Sequence, residues 1–157
     1  MDDAFMGKSV LVTAGPTQEP IDPVRYIGNH SSGRMGYAIA QAAWRRGANV
    51  TLVSGPSALD TPFGVDTVAV ETAQDMQVAV AERIGDSDLN IFSAAVADFR
   101  PTDSRDVKLK RNESADRILI DLTENPDVAR DTRANRKKGS VNVGFAFETE
   151  HLVHNDL

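Results

Sequence analysis

The 157-residue sequence contains no cysteine. That excludes a disulfide scaffold, a zinc–thiolate or iron–sulfur site and a cysteine nucleophile, and it fits a reducing, cytoplasmic setting. No apolar run approaches the ~18 residues needed to cross a bilayer, so no membrane span is expected. The start, MDDAFMGK, is acidic and lacks the apolar stretch of a signal peptide. There is no internal repeat and no low-complexity tract. Nor is there a basic excess: 17 Lys and Arg against 23 Asp and Glu leave a net charge of −6, which argues against binding nucleic acid over the whole surface.

What is present is ordinary globular composition, 41% hydrophobic and 25% charged, which excludes wholesale disorder. The length suits one domain, read as residues 1–157. Such a chain buries roughly 68–70% of its unfolded surface, enough for a core without staples. Charge is unevenly spread. Residues 1–99 carry 6 basic and 12 acidic side chains, whereas residues 100–138 carry 11 and 8, so cations concentrate where a small anionic ligand could be met.

Short β-branched runs alternate with helical patterns. Ser9–Thr13 and Asn49–Ser54 read as strands buried on both faces. Between them lie a polar, glycine- and proline-rich loop and a helix in which Met35, Ile39 and Ala42 recur at helical spacing, capped by Ser31 or Ser32 and ended by Gly47. Further strands are expected at 65–70, 89–95 and 140–147, with helices over 73–84 (Met76, Val80 and Ile84 on one face) and from Asn125-Pro126-Asp127 to about Arg136. Lys108-Leu109-Lys110 and Arg117–Leu122 alternate and are expected to pair as a small β-hairpin appendage. The fold class is α/β: a Rossmann-like, doubly wound, mostly parallel sheet. Only ten residues follow Phe147, so a further helix and strand are expected to be missing from the C-terminus.

In such sheets ligands bind beyond the carboxyl ends of the strands, here the loops after residues 13, 54, 93 and 147. The first loop is the best candidate. Gly33 and Gly36 allow close backbone approach, the helix start supplies free N–H groups, and Asn29, Ser31 and Ser32 add polar side chains. The plainer reading of the same run is a helix cap with small residues for packing. About twenty residues separate strand from helix, too many for the dinucleotide fingerprint Gly-x-Gly-x-x-Gly. The stretch 15–29 is stiffened by Pro16, Pro20 and Pro23, and long ordered loops in compact domains are usually functional.

The stretch Val12–Gly36 (VTAGPTQEPIDPVRYIGNHSSGRMG) resembles the opening signature of the phosphopantothenoylcysteine synthetases, in their bacterial, CTP-dependent branch. Matching segments follow in order: Thr51–Pro56 (TLVSGP), Ala94–Arg100 (AAVADFR), Lys108–Lys110, Asn125–Asp127 and Val143–Thr149 (VGFAFET). The resemblance spans roughly residues 8–150 and departs at Arg34, where the family usually has lysine.

It implies a ligase of coenzyme A biosynthesis. Such an enzyme activates 4′-phosphopantothenate with CTP and Mg²⁺ to an acyl-cytidylate, from which L-cysteine displaces CMP. It also implies a homodimer, a flavin-dependent decarboxylase domain elsewhere in the polypeptide, and C-terminal elements after Thr149 that bear a lysine. By motif match, Asn29 holds the pantothenate carboxyl or acyl group, Arg25 serves the second half-reaction and Lys108 meets phosphate and ribose. Asp98 stands at the ribose or metal side, Gly15, Ser31, Ser32 and Gly33 cradle phosphate, and Ala94, Ala95, Asn125, Pro126, Asp127 and Phe145 surround the base.

Each residue also has a plainer role: Asp98 capping a turn, Lys108 solvating a hairpin, Phe145 in the core. His30 reads as a scaffold rather than a base, and His151 and His154 beside Glu148 and Glu150 are too weak a pattern for zinc. Two rival readings remain. One is an NAD(P)-dependent oxidoreductase, disfavoured because Ser54-Gly55 stands where an acidic residue should end the second strand. The other is a noncatalytic nucleotide-binding or assembly fragment.

Overall fold

A computed structural model describes residues 3–110 and 117–145. The strand β1 (Ser9–Ala14) is the spine, with Val10, Leu11, Val12 and Ala14 all buried. The chain then makes a small antiparallel hairpin, β2 (Gln18–Pro20) with β3 (Tyr26–Gly28), inside what the sequence suggests is a plain loop. Helix α1 (Arg34–Arg45) follows, then β4 (Asn49–Ser54), β5 (Asp66–Ala69), α2 (Ala73–Ala81) and β6 (Leu89–Phe92). A second hairpin pairs β7 (Phe99–Pro101) with β8 (Leu122–Glu124), before the short α3 (Val128–Asp131) and β9 (Val141–Gly144).

The main sheet runs β5-β4-β1-β6-β9 and every pairing in it is parallel. The chain winds outward from β1 in one direction and then crosses back to the other side, so the strand order reverses between β1 and β6. That is the doubly wound arrangement expected, with its crevice at that reversal. One face of the sheet packs Val10, Val12, Val50 and Leu52 against Ala40 and Ala43 of α1. The other packs Leu11 and Val53 against Met76, Val80, Ile84 and Val128.

Several local expectations need correction. The buried face of α1 is Gly36, Ala40 and Ala43, while Met35 is 47% exposed. Small residues win that face because the helix lies so close to β1: a Cβ on Gly36 would come within 2.5 Å of Ala14 Cβ and 2.7 Å of Ser93 Oγ. The helix N-cap is Gly33 at φ 77°, a conformation that favours glycine, and neither serine caps it. Instead Ser31 and Ser32 hydroxyls accept from the N–H groups two residues on, at 3.3 and 3.4 Å. At the other end Gly47 does terminate the helix, donating to Trp44 O at 2.9 Å.

Helix α2 begins with a reciprocal capping box between Thr72 and Asp75 and stops at Ala81, short of the expected Ile84. A 3₁₀ turn over Ile84–Asp86 still delivers Ile84 to the core. The helix expected from Asn125 is one turn long: Asp127 is its N-cap, accepting from Arg130 N at 2.9 Å, and a second 3₁₀ turn follows at Arg133–Asn135. The expected hairpin has different strands, because Phe99–Pro101 and not Lys108–Lys110 pairs near Leu122. Leu109 is unavailable for a ladder: its N–H donates to Asp22 and its carbonyl accepts from Arg25. The expected continuation of the last strand to Phe147, and the pairs His151/His154 and Glu148/Glu150, lie outside the described residues.

Candidate functional site at the carboxyl edge

Past the sheet, β1 and β6 do not simply end. Their extensions, 13–17 and 93–97, run on side by side. Ser93 Oγ donates to Thr13 O at 2.6 Å, Ala95 N to Gly15 O at 2.8 Å, and Ala97 N to the buried Thr17 hydroxyl at 3.0 Å. Side-chain hydroxyls thus take over where the backbone ladder gives out. Two further amides fix the β6 extension from either side. Asn29 Nδ2 donates to Val96 O at 2.9 Å, and Asn125 Nδ2 donates to Ala97 O at 2.8 Å. Asn125 is itself oriented by Arg100, whose Nη1 donates to Asn125 Oδ1 at 3.2 Å and also to Glu124 O.

Two cavities flank this segment. The larger, about 540 Å³, is lined by Thr13, Phe92, Ala94, Val96, Ala97, Asp98, Phe99, the 124–130 turn, Gly144 and Phe145. The smaller, about 320 Å³, lies among Pro16, Thr17, Gln18, Tyr26, Gly28, Asn29, His30, Ser31 and Pro56. A further cavity of about 400 Å³ sits at the opposite, amino edge of the sheet among residues such as Ser9, Asn49, Asp66 and Arg83, and none of the candidate site residues lines it.

The larger cavity gathers Ala94, Asp98, Asn125, Pro126, Asp127 and Phe145 of the sequence candidates, and the smaller gathers Asn29 and Ser31. Phe145 is 54% exposed and so not a core residue. Gly15, Ser32, Gly33 and Ala95 line neither cavity. Gly15 and Gly33 instead pack against each other: a Cβ on Gly33 would lie 3.2 Å from Gly15 Cα, and Gly15 also abuts the Gly55 carbonyl. These glycines let the β1 loop, the α1 start and the β4 loop converge. Ala95 contributes backbone, donating to Gly15 and accepting from Thr17 N at 3.3 Å.

Arg25 and Lys108 also lie outside both linings, although the fold brings their segments together. Arg25 Nε and Nη2 donate to Asp22, and Nη2 also reaches Leu109 O at 2.8 Å, next to Lys108. The Asp22 side chain is fully buried and held well below the usual carboxylate range, first by Arg25 and further by the N–H groups of Leu109, Val24 and Arg25, against an opposing push from burial.

Two charged residues at the site, Glu124 and Arg130, escaped the sequence reading. Arg130 lines the larger cavity, the only Lys or Arg among its described lining residues. It was legible only as part of the cationic excess over 100–138. The carboxylate of Asp131 lies 3.2 Å away and raises the pKa of a guanidinium that is already charged at any working pH.

A divalent cation arriving on phosphate asks a protein for one or two carboxylates. Asp98 and Glu124 are exposed on the lining of the larger cavity, so the donor chemistry fits. Among the described residues no group of three His, Asp or Glu gathers into a stand-alone metal site.

The fold and its crevice define a doubly wound α/β protein with two cavities at the carboxyl edge of its sheet. The chain belongs to the family of the DNA/pantothenate metabolism flavoprotein C-terminal domain, whose family model matches residues 5–156. It is 52% identical over 145 residues to the Coenzyme A biosynthesis bifunctional protein CoaBC of Vibrio vulnificus, covering 92% of this chain and 36% of that protein. Against the Escherichia coli protein of the same name it is 48% identical, with coverage of 92% and 36%. The chain therefore spans about a third of the length of these relatives.

A crystal structure of the C-terminal domain of a CoaBC superposes with a TM-score of 0.79 at 46% identity, over 94% of this chain and 68% of that one. A Cab2 variant in complex with phosphopantothenate-cysteine shares the fold, with a TM-score of 0.73 at 17% identity, over 91% of this chain and 65% of that one. Among the described residues no helix is long and apolar enough to cross a membrane.

Proposed function

We propose that this chain is the synthetase unit of a phosphopantothenate–cysteine ligase acting in the cytoplasm, with CTP as the activating nucleotide and Mg²⁺ bound alongside it. The observation that carries the reading is the pair of cavities joined at the Asn29–Val96 bond, with Ala94, Asp98, Asn125, Pro126, Asp127 and Phe145 of the family-matched residues on one and Asn29 and Ser31 on the other. One compartment suits a nucleotide and the other the acid it activates, and both open on the same wall. The family membership and the relatives' names as coenzyme A biosynthesis proteins support it further.

In this reading the pantothenate carboxylate attacks the α-phosphorus of CTP. The new O–P bond forms as pyrophosphate leaves, giving an acyl-cytidylate. The cysteine amine then attacks the acyl carbon, CMP departs, and the amine loses a proton to solvent.

Asn29 stands where the two compartments meet. One amide hydrogen is committed to Val96, which fixes the group and leaves the second hydrogen and Oδ1 to orient the acyl group without neutralising the nucleophile. Lys108 supplies a flexible charge for phosphate and Arg25 serves the cysteine step. Ala94, Ala95, Asn125, Pro126, Asp127 and Phe145 frame the base. Gly15, Ser31, Ser32 and Gly33 shape the phosphate end, where the α1 start directs free N–H groups.

Asp98 is the residue that would hold Mg²⁺, which when bound offsets the charge gathering on the phosphoryl oxygens. We also infer a homodimer and a flavin-dependent decarboxylase domain in the full polypeptide, the latter because the relatives are bifunctional.

Calorimetric titration with CTP, ATP and NADH in the presence of Mg²⁺, followed by a pyrophosphate-release assay with phosphopantothenate, tests the reading. CTP binding with release is expected. Binding without release would leave a nucleotide-binding fragment, and binding of NADH alone would restore the oxidoreductase reading.

A further inference from the structure

The carboxylate of Asp22 receives more donors than any loop turn needs. Its Oδ1 accepts from Val24 N and Arg25 N, each at 2.9 Å, as a turn-forming aspartate does. Its Oδ2 accepts from Arg25 Nε at 3.0 Å, from Arg25 Nη2, and from Leu109 N at 3.0 Å, a residue 87 positions away. Arg25 then closes the ring by donating to the Leu109 carbonyl. Both backbone polar groups of Leu109 are thereby taken, one by each member of the pair. A second tie runs alongside, from Arg105 N to Ile21 O at 3.0 Å.

The stretch so held has no regular secondary structure of its own from Thr102 to Lys110, and Lys108 and Lys110 project exposed on either side of the anchored residue. A segment without a ladder or a helix owes its position to the few bonds it makes outside itself. Here two of those bonds, both at Leu109, run to the Asp22–Arg25 pair. Turn formation accounts for Oδ1 but not for Oδ2, whose three donors join two distant parts of the chain.

We propose that Asp22 is a positioning residue, which through Leu109 and Arg25 fixes where Lys108 stands relative to the loop that carries Asn29. The proposal rests on the ligase reading above, since Lys108 and Arg25 are site residues only within it. Asp22 touches no substrate. It acts by holding the lysine's backbone in place, so that nucleotide meets a charge already localised rather than one that must be ordered on binding.

The test compares wild type with Asp22→Asn, which keeps the shape but loses the charge, and with Leu109→Pro, which removes the Leu109 N–H and leaves the buried carboxylate untouched. Trypsin cleavage after Lys110, a bond left intact by both variants, followed by mass spectrometry, reads the anchoring directly. In both variants we expect it to be about tenfold faster while Trp44 fluorescence reports an intact fold. Steady-state kinetics should then show KM for CTP raised about tenfold with kcat changed less than about threefold, the pattern of lost ground-state binding.

Unchanged cleavage in both variants overturns the proposal. So does faster cleavage with KM for CTP unmoved, because the bond network would then be structural only. If Asp22→Asn does not fold, Leu109→Pro decides alone by the same two readouts. A wild-type chain inert toward CTP defeats the ligase reading and the positioning role with it, and that failure is distinguishable because it needs no variant.

Discussion

Asn29 and Val96 meet across a single 2.9 Å hydrogen bond, and that bond closes the wall between two cavities: Asn29 lines the smaller and Val96 the larger. Replacing Asn29 by aspartate removes the donor and sets a carboxylate against a carbonyl oxygen. Asn29→Asp is therefore expected to release pyrophosphate but to form ligated product at least about tenfold more slowly, since a misplaced acyl group costs orientation rather than affinity. Parallel assays of pyrophosphate and of phosphopantothenoylcysteine check this, and normal cysteine ligation would remove Asn29 from the acyl site.

Arg130 offers the larger cavity a permanent positive charge on an exposed side chain that is already engaged with Asp131. An exposed ion pair in water is worth at most about 1 kcal/mol. Arg130→Ala is accordingly expected to weaken CTP binding by about three- to fivefold, with the difference shrinking as salt is raised. Isothermal titration at two ionic strengths measures both effects.

Gly36 occupies the tightest packing on α1, with Ala14 and Ser93 filling the space its side chain would need. Gly36→Ala gains helix propensity but overpacks the junction of helix and sheet. A net loss of about 1–3 kcal/mol is expected, read as a lower urea midpoint at unchanged m-value. A gain in stability would mean that α1 moves off the sheet freely.

Acid should destabilise this fold through identifiable carboxylates. Asp22 is held low by Arg25, Asp88 by the Lys137 ammonium 2.7 Å away and the Ser9 N–H, and Asp75 by the Thr72 N–H. In each case the folded pKa lies below the unfolded one near 3.8, so the native state binds fewer protons. The stabilisation is present above that value and is lost as pH falls through it toward the folded pKa values. Urea midpoints should be flat above about pH 5 and fall steeply below about pH 4. Asp88→Asn, at the amino edge away from the crevice, should make that fall shallower.

Lys108→Gln leaves a polar side chain one atom shorter and removes its charge. CTP use is expected to fall by about tenfold in kcat/KM, the effect of one lost phosphate contact. Unchanged CTP dependence would return Lys108 to an ordinary solvated position.

Much of this architecture is written in short-range pattern. Ser9–Thr13 and Asn49–Ser54 are apolar and β-branched because both faces are covered, and the strands begin and end almost where those runs do. The helix faces were less legible. Met35 is apolar yet exposed, because the closest approach of α1 to β1 falls at Gly36, where Ala14 and Ser93 leave no room for a side chain, a constraint set by distant residues. The hairpin partner of Leu122 was misread for a similar reason. Local alternation marks Leu109 as strand, but its polar groups are claimed by Asp22 and Arg25, more than eighty positions back. Motif matching found residues on both sides of the crevice, but not Arg130, which has no local signature at all.

The segment from Ala95 to Asp98 lines the larger cavity through Val96, Ala97 and Asp98 and meets the smaller one through the Asn29 bond. It is pinned by Thr17 and Asn29 from one side and by Asn125 from the other. A displacement of it from the larger cavity reaches Asn29, and the reverse holds equally. Binding free energies are reciprocal: if one occupant shifts this partition so as to tighten or loosen the hold on the second, the second must alter the hold on the first by the same factor. A wall a few residues thick would make occupants of the two cavities thermodynamic neighbours before any bond formed between them.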